Sequence, residues 1–152
     1  MKVQRELTAP EAQKGDLRVA FATSNGVSIN DHFGKGMEFL LFDINATGYT
    51  KSGKITFEAE EGDDPEHTDR NFVKVDALDK CHIVYSRKIG GPVAAKLTQR
   101  KIQPLIVKKE DNIEKLLNDF KGMLEQPPLW IAKLIGTEDP NRFAAFDEDD
   151  ED

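Results

Sequence analysis

The segment Leu17-Arg18-Val19-Ala20-Phe21-Ala22-Thr23 constrains the fold more than any other part of this 152-residue chain. It is apolar at nearly every position, not at alternate ones. Turn-forming residues bound it, Asp16 before and Ser24-Asn25-Gly26 after. Such a run reads as a mostly buried strand, which other layers must cover. Arg18 is its only charged residue.

The remaining elements follow in an informative order. Phe39-Leu40-Leu41-Phe42-Asp43-Ile44 is a second apolar run. After the turn residues Asn45 to Gly48, Tyr49 to Ala59 alternates with Ile55, Phe57 and Ala59 on one side, which predicts a third strand exposed on one face. Asp63-Asp64-Pro65 reads as a helix start. Phe72, Val73, Val75, Ala77 and Leu78 give that helix an apolar face of imperfect phase. His82 to Tyr85 predicts a short buried strand, Gly90-Gly91-Pro92 opens a helix through Lys101, and Gln103 to Val107 is the last strand. Ile113, Leu116, Leu117 and Phe120 fall at helical spacing. Pro127-Pro128 ends that helix, and Leu129 to Ile135 adds a short terminal one.

The order β-β-β-α-β-α-β-α places an antiparallel meander before helix-linked parallel strands. It implies a five-stranded mixed sheet with helices on both faces, a ribonuclease-H-like three-layer α/β domain. The expected organisation is a flexible tail over residues 1–16, one domain over 17–135, and a disordered acidic tail over 136–152.

Charge and cysteine content narrow the function. Net charge is −7, and Asp147 to Asp152 alone supply six negative charges, so the body is near neutral. A general nucleic-acid binder normally carries a positive field, which disfavours that class. Cys81 is the single cysteine, so no intramolecular disulfide forms. No stretch approaches the roughly 20 apolar residues that span a bilayer. Residues 1–16 lack the apolar run of a secretory signal. A reducing cytoplasm without membrane attachment is the expected setting.

The loop from Ser24 to Gly36 leaves the carboxyl end of the first strand, the edge where open α/β sheets place ligands. A simple hairpin closes in about two to five residues, and this connection is far longer. His32, between Asp31 and Phe33, has the donor type of a transition-metal ligand, and a nearby carboxylate can orient such a ring. The competing reading is a histidine that caps the loop through hydrogen bonds, since one imidazole does not define a metal site.

Ser24-Asn25-Gly26, Asn30-Asp31-His32-Phe33-Gly34 and Phe39-Leu40-Leu41-Phe42-Asp43 together resemble the signature of the dinitrogenase iron–molybdenum cofactor-binding family. The resemblance continues through Cys81 to Tyr85, Ile89-Gly90-Gly91-Pro92 to Leu97, and Ile102-Gln103-Pro104. It spans about residues 17 to 135, and the end with Pro127-Pro128-Leu129-Trp130 and the acidic tail is similar to the NifX branch of the family. The resemblance implies a ribonuclease-H-like fold and transient binding of an iron–sulfur precursor of the iron–molybdenum cofactor, or of the cofactor itself. It makes His32 the candidate ligand and brings Ser24 and Asn25 into the binding segment. Relatives often carry Asp-Gln or Ala-Asp before that histidine, where this chain has Asn30-Asp31. The implied partners are the assembly proteins that donate and accept the cluster, and the implied role is a carrier with no reaction of its own.

Iron–sulfur clusters are usually held by several thiolates. A chain with one cysteine does not enclose a four-iron cluster alone, and few strong ligands suit a carrier that must release its cargo. Cys81 is the weaker second candidate. If its strand runs parallel to the first, it lies about 13 Å from the edge of His32, and a buried, apolar role competes with ligation. Arg87 and Lys88, then Gly90 and Gly91 at a helix start, emerge at the same edge as His32 and suit an anionic cargo; an ordinary solvated loop is the alternative. Lys35 is a weaker companion. Phe21, Phe39, Phe42 and Phe72 read as core, and Trp130 either anchors the terminal helix, the favoured reading, or presents a partner surface.

Two other functions compete. Nucleases of this fold class bind two divalent cations through acidic residues, one within the first strand, and Leu17 to Thr23 contains none. Asp31 and Asp43 remain. A protein–protein adaptor would use the acidic tail with Arg142-Phe143-Ala144-Ala145-Phe146 and leave His32 idle.

Overall fold

The structure, a computed structural model, describes residues 1–63, 68–109 and 111–136, with the backbone alone at 68–70. The expected helix start at Asp64 and Pro65, His67, and the tail from residue 137 onward lie outside the described residues. Among the described residues twelve elements follow in order: β1 (Lys2–Leu7), β2 (Leu17–Ala22), β3 (Ser28–Ile29), β4 (Glu38–Asn45), β5 (Gly48–Glu58), α1 (Thr68–Ala77), β6 (Ile83–Ser86), α2 (Gly91–Gln99), β7 (Gln103–Ile106), β8 (Asp111–Asn112), α3 (Ile113–Met123) and α4 (Leu129–Ile135).

The main sheet is mixed and has the order β1-β5-β4-β2-β6-β7. β2 is central, antiparallel to β4 and parallel to β6, and β7 continues parallel to β6. Every residue of β2 is buried, as its continuous apolar run requires. Ala20 and Ala22 face one core with Val75, Leu78, Val93 and Leu97 of the α1–α2 layer. Val19 and Phe21 face the other, with Leu116, Leu117, Phe120, Ile131 and Ile135 of α3 and α4. Helices therefore cover both faces.

Three features correct the sequence reading. The sheet has six strands, not five, because Lys2–Leu7 pairs antiparallel with β5 instead of forming a flexible tail. Only Val3 and Leu7 of β1 pack against the core, so its local pattern is weak and its pairing is decided by the open edge of β5. At Gly53, opposite Leu7, φ is +150° and an added Cβ would lie 2.0 Å from the Glu6 carbonyl oxygen. Glycine is what lets the two backbones approach there. Second, the long loop after β2 contains β3, which pairs with β8 in a separate two-stranded sheet; two residues are too few to show a period. Third, Trp130 does not anchor α4. The helix docks through Ile131, Ala132 and Ile135, and Trp130 stays 41% exposed, because it projects from a different face of the helix.

At the far edge, Gln103 N–H and Val107 N–H donate to the His82 and Ser86 carbonyls of the β6 segment. Pro104 stands between them, in register with Val84.

Candidate functional site

The carboxyl ends of β2, β6 and β7 share one edge because the three strands are parallel. Two backbone hydrogen bonds bracket His32 there. Arg87 N–H donates to the Asp31 carbonyl at 2.9 Å, and Phe33 N–H donates to the Lys88 carbonyl at 2.9 Å. His32 itself is half-buried. The ring of Phe33 is 1% exposed and lies 5.5 Å from that of Phe39, so the residue after His32 is an apolar plug in the sheet face. Gly36 N–H closes the turn onto the His32 carbonyl at 2.8 Å. A Cβ at Gly36 would sit 2.9 Å from that same oxygen, which ties glycine to this position.

Ser24 and Asn25 build the loop. Asn25 Oδ1 accepts from Val27 N–H and Ser28 N–H, while Thr23 Oγ1 accepts from Asn25 N–H and Gly26 N–H. Asn25 Nδ2 donates to Ser28 Oγ. Ser24 N–H donates to Asn30 Oδ1, and Asn30 Nδ2 donates to Ser24 Oγ. The Asn25 and Thr23 contacts are Asx- and ST-type turns, the Ser24–Asn30 pair bridges the loop, and the Asn25 side chain is engaged within the protein.

Arg87 is half-buried and Lys88 exposed at the end of β6. Gly90 is the N-cap of α2, with no side-chain cap and no acidic residue in the first turn. A Cβ at Gly90 or Gly91 would meet nothing within 4 Å. The glycines therefore leave open space in front of a helix start whose first N–H groups have no intrahelical acceptor. Lys108 and Lys109, which no motif marks in the sequence, follow β7 onto the same edge; Arg87 Nη2 donates to the Lys108 carbonyl at 3.5 Å. Lys35, in the His32 loop, is exposed, and the segments that meet at this edge also carry Asp31 and Asp111.

The other candidates are elsewhere. Cys81 precedes β6 and so lies at the opposite end of that strand from Arg87. It is buried in the core, and burial pushes its thiol up to about 12, far from the thiolate that binds metals. Asp43, one of the two carboxylates a nuclease would need, is taken by Arg18. The guanidinium Nε donates to Asp43 Oδ1 at 2.8 Å and Nη2 to Oδ2 at 3.0 Å. Among the described residues no group of three His, Cys, Asp or Glu side chains converges on a metal-sized point, and no helix is long and apolar enough to cross a membrane.

His82 is structural. Its Nδ1 accepts from Arg18 N–H at 2.9 Å, and burial lowers its pKa from the usual 6.5. The unfolded chain thus binds the proton more tightly. The contribution is complete above about pH 6.5 and is lost as pH falls toward the lower folded value. Urea unfolding at pH 8 and pH 5.5 should show native protein losing stability on acidification. In His82→Asn, whose Oδ1 can accept the Arg18 N–H, that part of the loss should vanish; an unchanged difference would contradict this role.

The sequence matches the family described as dinitrogenase iron-molybdenum cofactor over residues 15–123. It is 33% identical over 143 residues to the protein NifX of Sinorhizobium fredii, covering 91% of this chain and 89% of that protein. It is 28% identical over 150 residues to NifX of Rhodobacter capsulatus, covering 95% and 94%. The crystal structure of PH0822 superposes with a TM-score of 0.54 at 20% identity, over 70% of this chain and 89% of that one, a likeness of fold.

Proposed function

Since the chain belongs to the dinitrogenase iron-molybdenum cofactor family, as a NifX-type member, we propose that it carries an iron–sulfur precursor of the nitrogenase cofactor, or the cofactor itself, and hands it on during assembly. The family membership ties the chain to cofactor biosynthesis. The carrier role is supported most by one observation: backbone hydrogen bonds on both sides of His32 tie its loop to the Arg87–Lys88 segment, which leads into the open start of α2. The imidazole supplies one ligand. Arg87, Lys88 and the N–H groups of Gly90 and Gly91 at the helix start attract an anionic cluster without bonding to its metals. One strong ligand and a diffuse positive field give a hold that an acceptor with several thiolates can overcome. Neither a reaction nor a nucleic-acid substrate is needed in this reading. The strand order β5-β4-β2-β6-β7, with only β4 reversed, supports a ribonuclease-H-like assignment for the scaffold, with β1 added.

The test is anaerobic loading from a cluster donor followed by desalting. Native protein should retain visible absorption, and His32→Ala should retain about ten-fold less. Cys81→Ala should retain nearly the native amount. Equal retention by His32→Ala overturns the ligand assignment. Cleavage of nucleic acid by the metal-free protein once magnesium is added overturns the carrier. Partner binding without any cluster, lost on removing residues 143–152, would mark an adaptor instead.

A further inference from the structure

One buried cation lies beneath the His32 loop. Lys74 of α1 is 1% exposed, and its ammonium donates to three backbone carbonyls of the loop: Phe33 at 3.1 Å, Gly34 at 3.0 Å and Gly36 at 2.6 Å. The same Nζ stands 5.7 Å from the ring centre of Phe57. The side chain reaches the loop from α1, across 38 to 41 residues of sequence. A lysine is almost never fully buried unless its charge is satisfied. Here an ammonium with three donors meets three acceptors from a four-residue stretch.

We infer that Lys74 is a positioning residue for His32, setting the loop geometry through its charge. The inference rests on the binding role proposed for His32 but concerns this chain's own loop. Two consequences follow from the contacts. Drawing the Phe33, Gly34 and Gly36 carbonyls inward removes three partial negative charges from the rim that faces an anionic cargo. It also fixes both sides of the His32 peptide: Phe33 is held by its ring and its carbonyl, and Gly36 is held by Lys74 while its N–H binds the His32 carbonyl. Helix α1 adds a further contact, because Asn71 lies beside Gly34, with its Oδ1 3.6 Å from an ideal Cβ there. Residues 71, 74, 75 and 78 share one helical stripe, which explains the imperfect apolar phase: a lysine occupies a place due to a core residue.

The test uses Lys74→Met, which keeps the apolar stem and removes the charge, and Lys74→Arg, which keeps charge and donors. In cluster-free protein, amide exchange at Gly36 should accelerate by roughly ten-fold or more in Lys74→Met, and the His32 ring resonances should shift. Lys74→Arg should restore the native ring resonances in part. In loaded protein, Lys74→Met should lose cluster on desalting as His32→Ala does. If Lys74→Met folds with native Gly36 exchange and native His32 ring resonances, the inference is overturned. If neither variant folds, the native chain decides: a nitrogen-15 ammonium signal at Lys74, with slow proton exchange and couplings to the three carbonyls, supports it, and its absence overturns it. Failure of native protein to hold any cluster would sink the carrier reading alone, because the cluster-free measurements still report on Lys74.

Discussion

Asp43→Ala should lower the unfolding free energy by about 3–5 kcal/mol, the loss typical of removing one partner from a buried ion pair. Arg18 is 0% exposed in the central strand and its fork meets both carboxylate oxygens of Asp43. The third arm, Nη1, donates to the Ala9 carbonyl at 3.2 Å. Without Asp43 the guanidinium stays buried with its charge uncompensated. The value should fall toward the lower end of the range, since the Asp43 side chain is 18% exposed and water can replace it in part. A loss of that size is a large share of the ordinary stability of a domain, about 5–15 kcal/mol. Urea unfolding followed by circular dichroism measures it. The double change Arg18→Met with Asp43→Leu should recover much of the loss, because uncharged side chains need no pairing. A loss below about 1 kcal/mol for Asp43→Ala would mean that the pair behaves as a surface contact.

Phe33→Ala should cost a similar amount, about 3–5 kcal/mol, and should also disturb the site. The ring fills the core between the His32 loop and the sheet, against Phe39, which in turn meets Phe57 edge-on with ring centres 5.9 Å apart. Its loss leaves a cavity beneath the loop and removes the apolar anchor one residue from His32. Phe33→Leu should lose less, since most of the volume remains. The expected pattern is a fall in stability and in cluster retention together. Retention at the native level in a destabilised Phe33→Ala protein would show that the backbone bonds to Arg87 and Lys88 hold His32 without the ring.

The parts of this fold that could be read from the chain were those where local pattern and tertiary role agree. Leu17 to Ala22 is apolar on both sides because both sides are covered, and the Ile113, Leu116, Leu117 and Phe120 stripe of α3 faces the core it predicts. The missed parts were decided elsewhere in the molecule. Lys2–Leu7 becomes a strand because β5 extends eleven residues and offers an open edge. β3 and β8 are defined only by each other. At the site, the approach of His32 to Arg87 and Lys88 followed from strand direction alone, whereas the inward role of the Asn25 side chain required the loop to be seen. Lys74 left one trace, a charge where the α1 stripe called for an apolar residue. Pattern alone leaves such a lysine unassigned, since burial of its charge is improbable without knowledge of the carbonyls that receive it.

The two outer strands of the sheet carry a further meaning. On β7, Gln103 and Val107 spend their N–H groups on β6, so alternation turns the nitrogen of Pro104 outward. A foreign strand seeking a donor at that position finds none. On the opposite margin, β1 presents exposed Lys2, Gln4, Arg5 and Glu6. Both rims thus resist the edge-to-edge stacking that seeds aggregates, and the molecule can meet other proteins without zipping onto copies of itself.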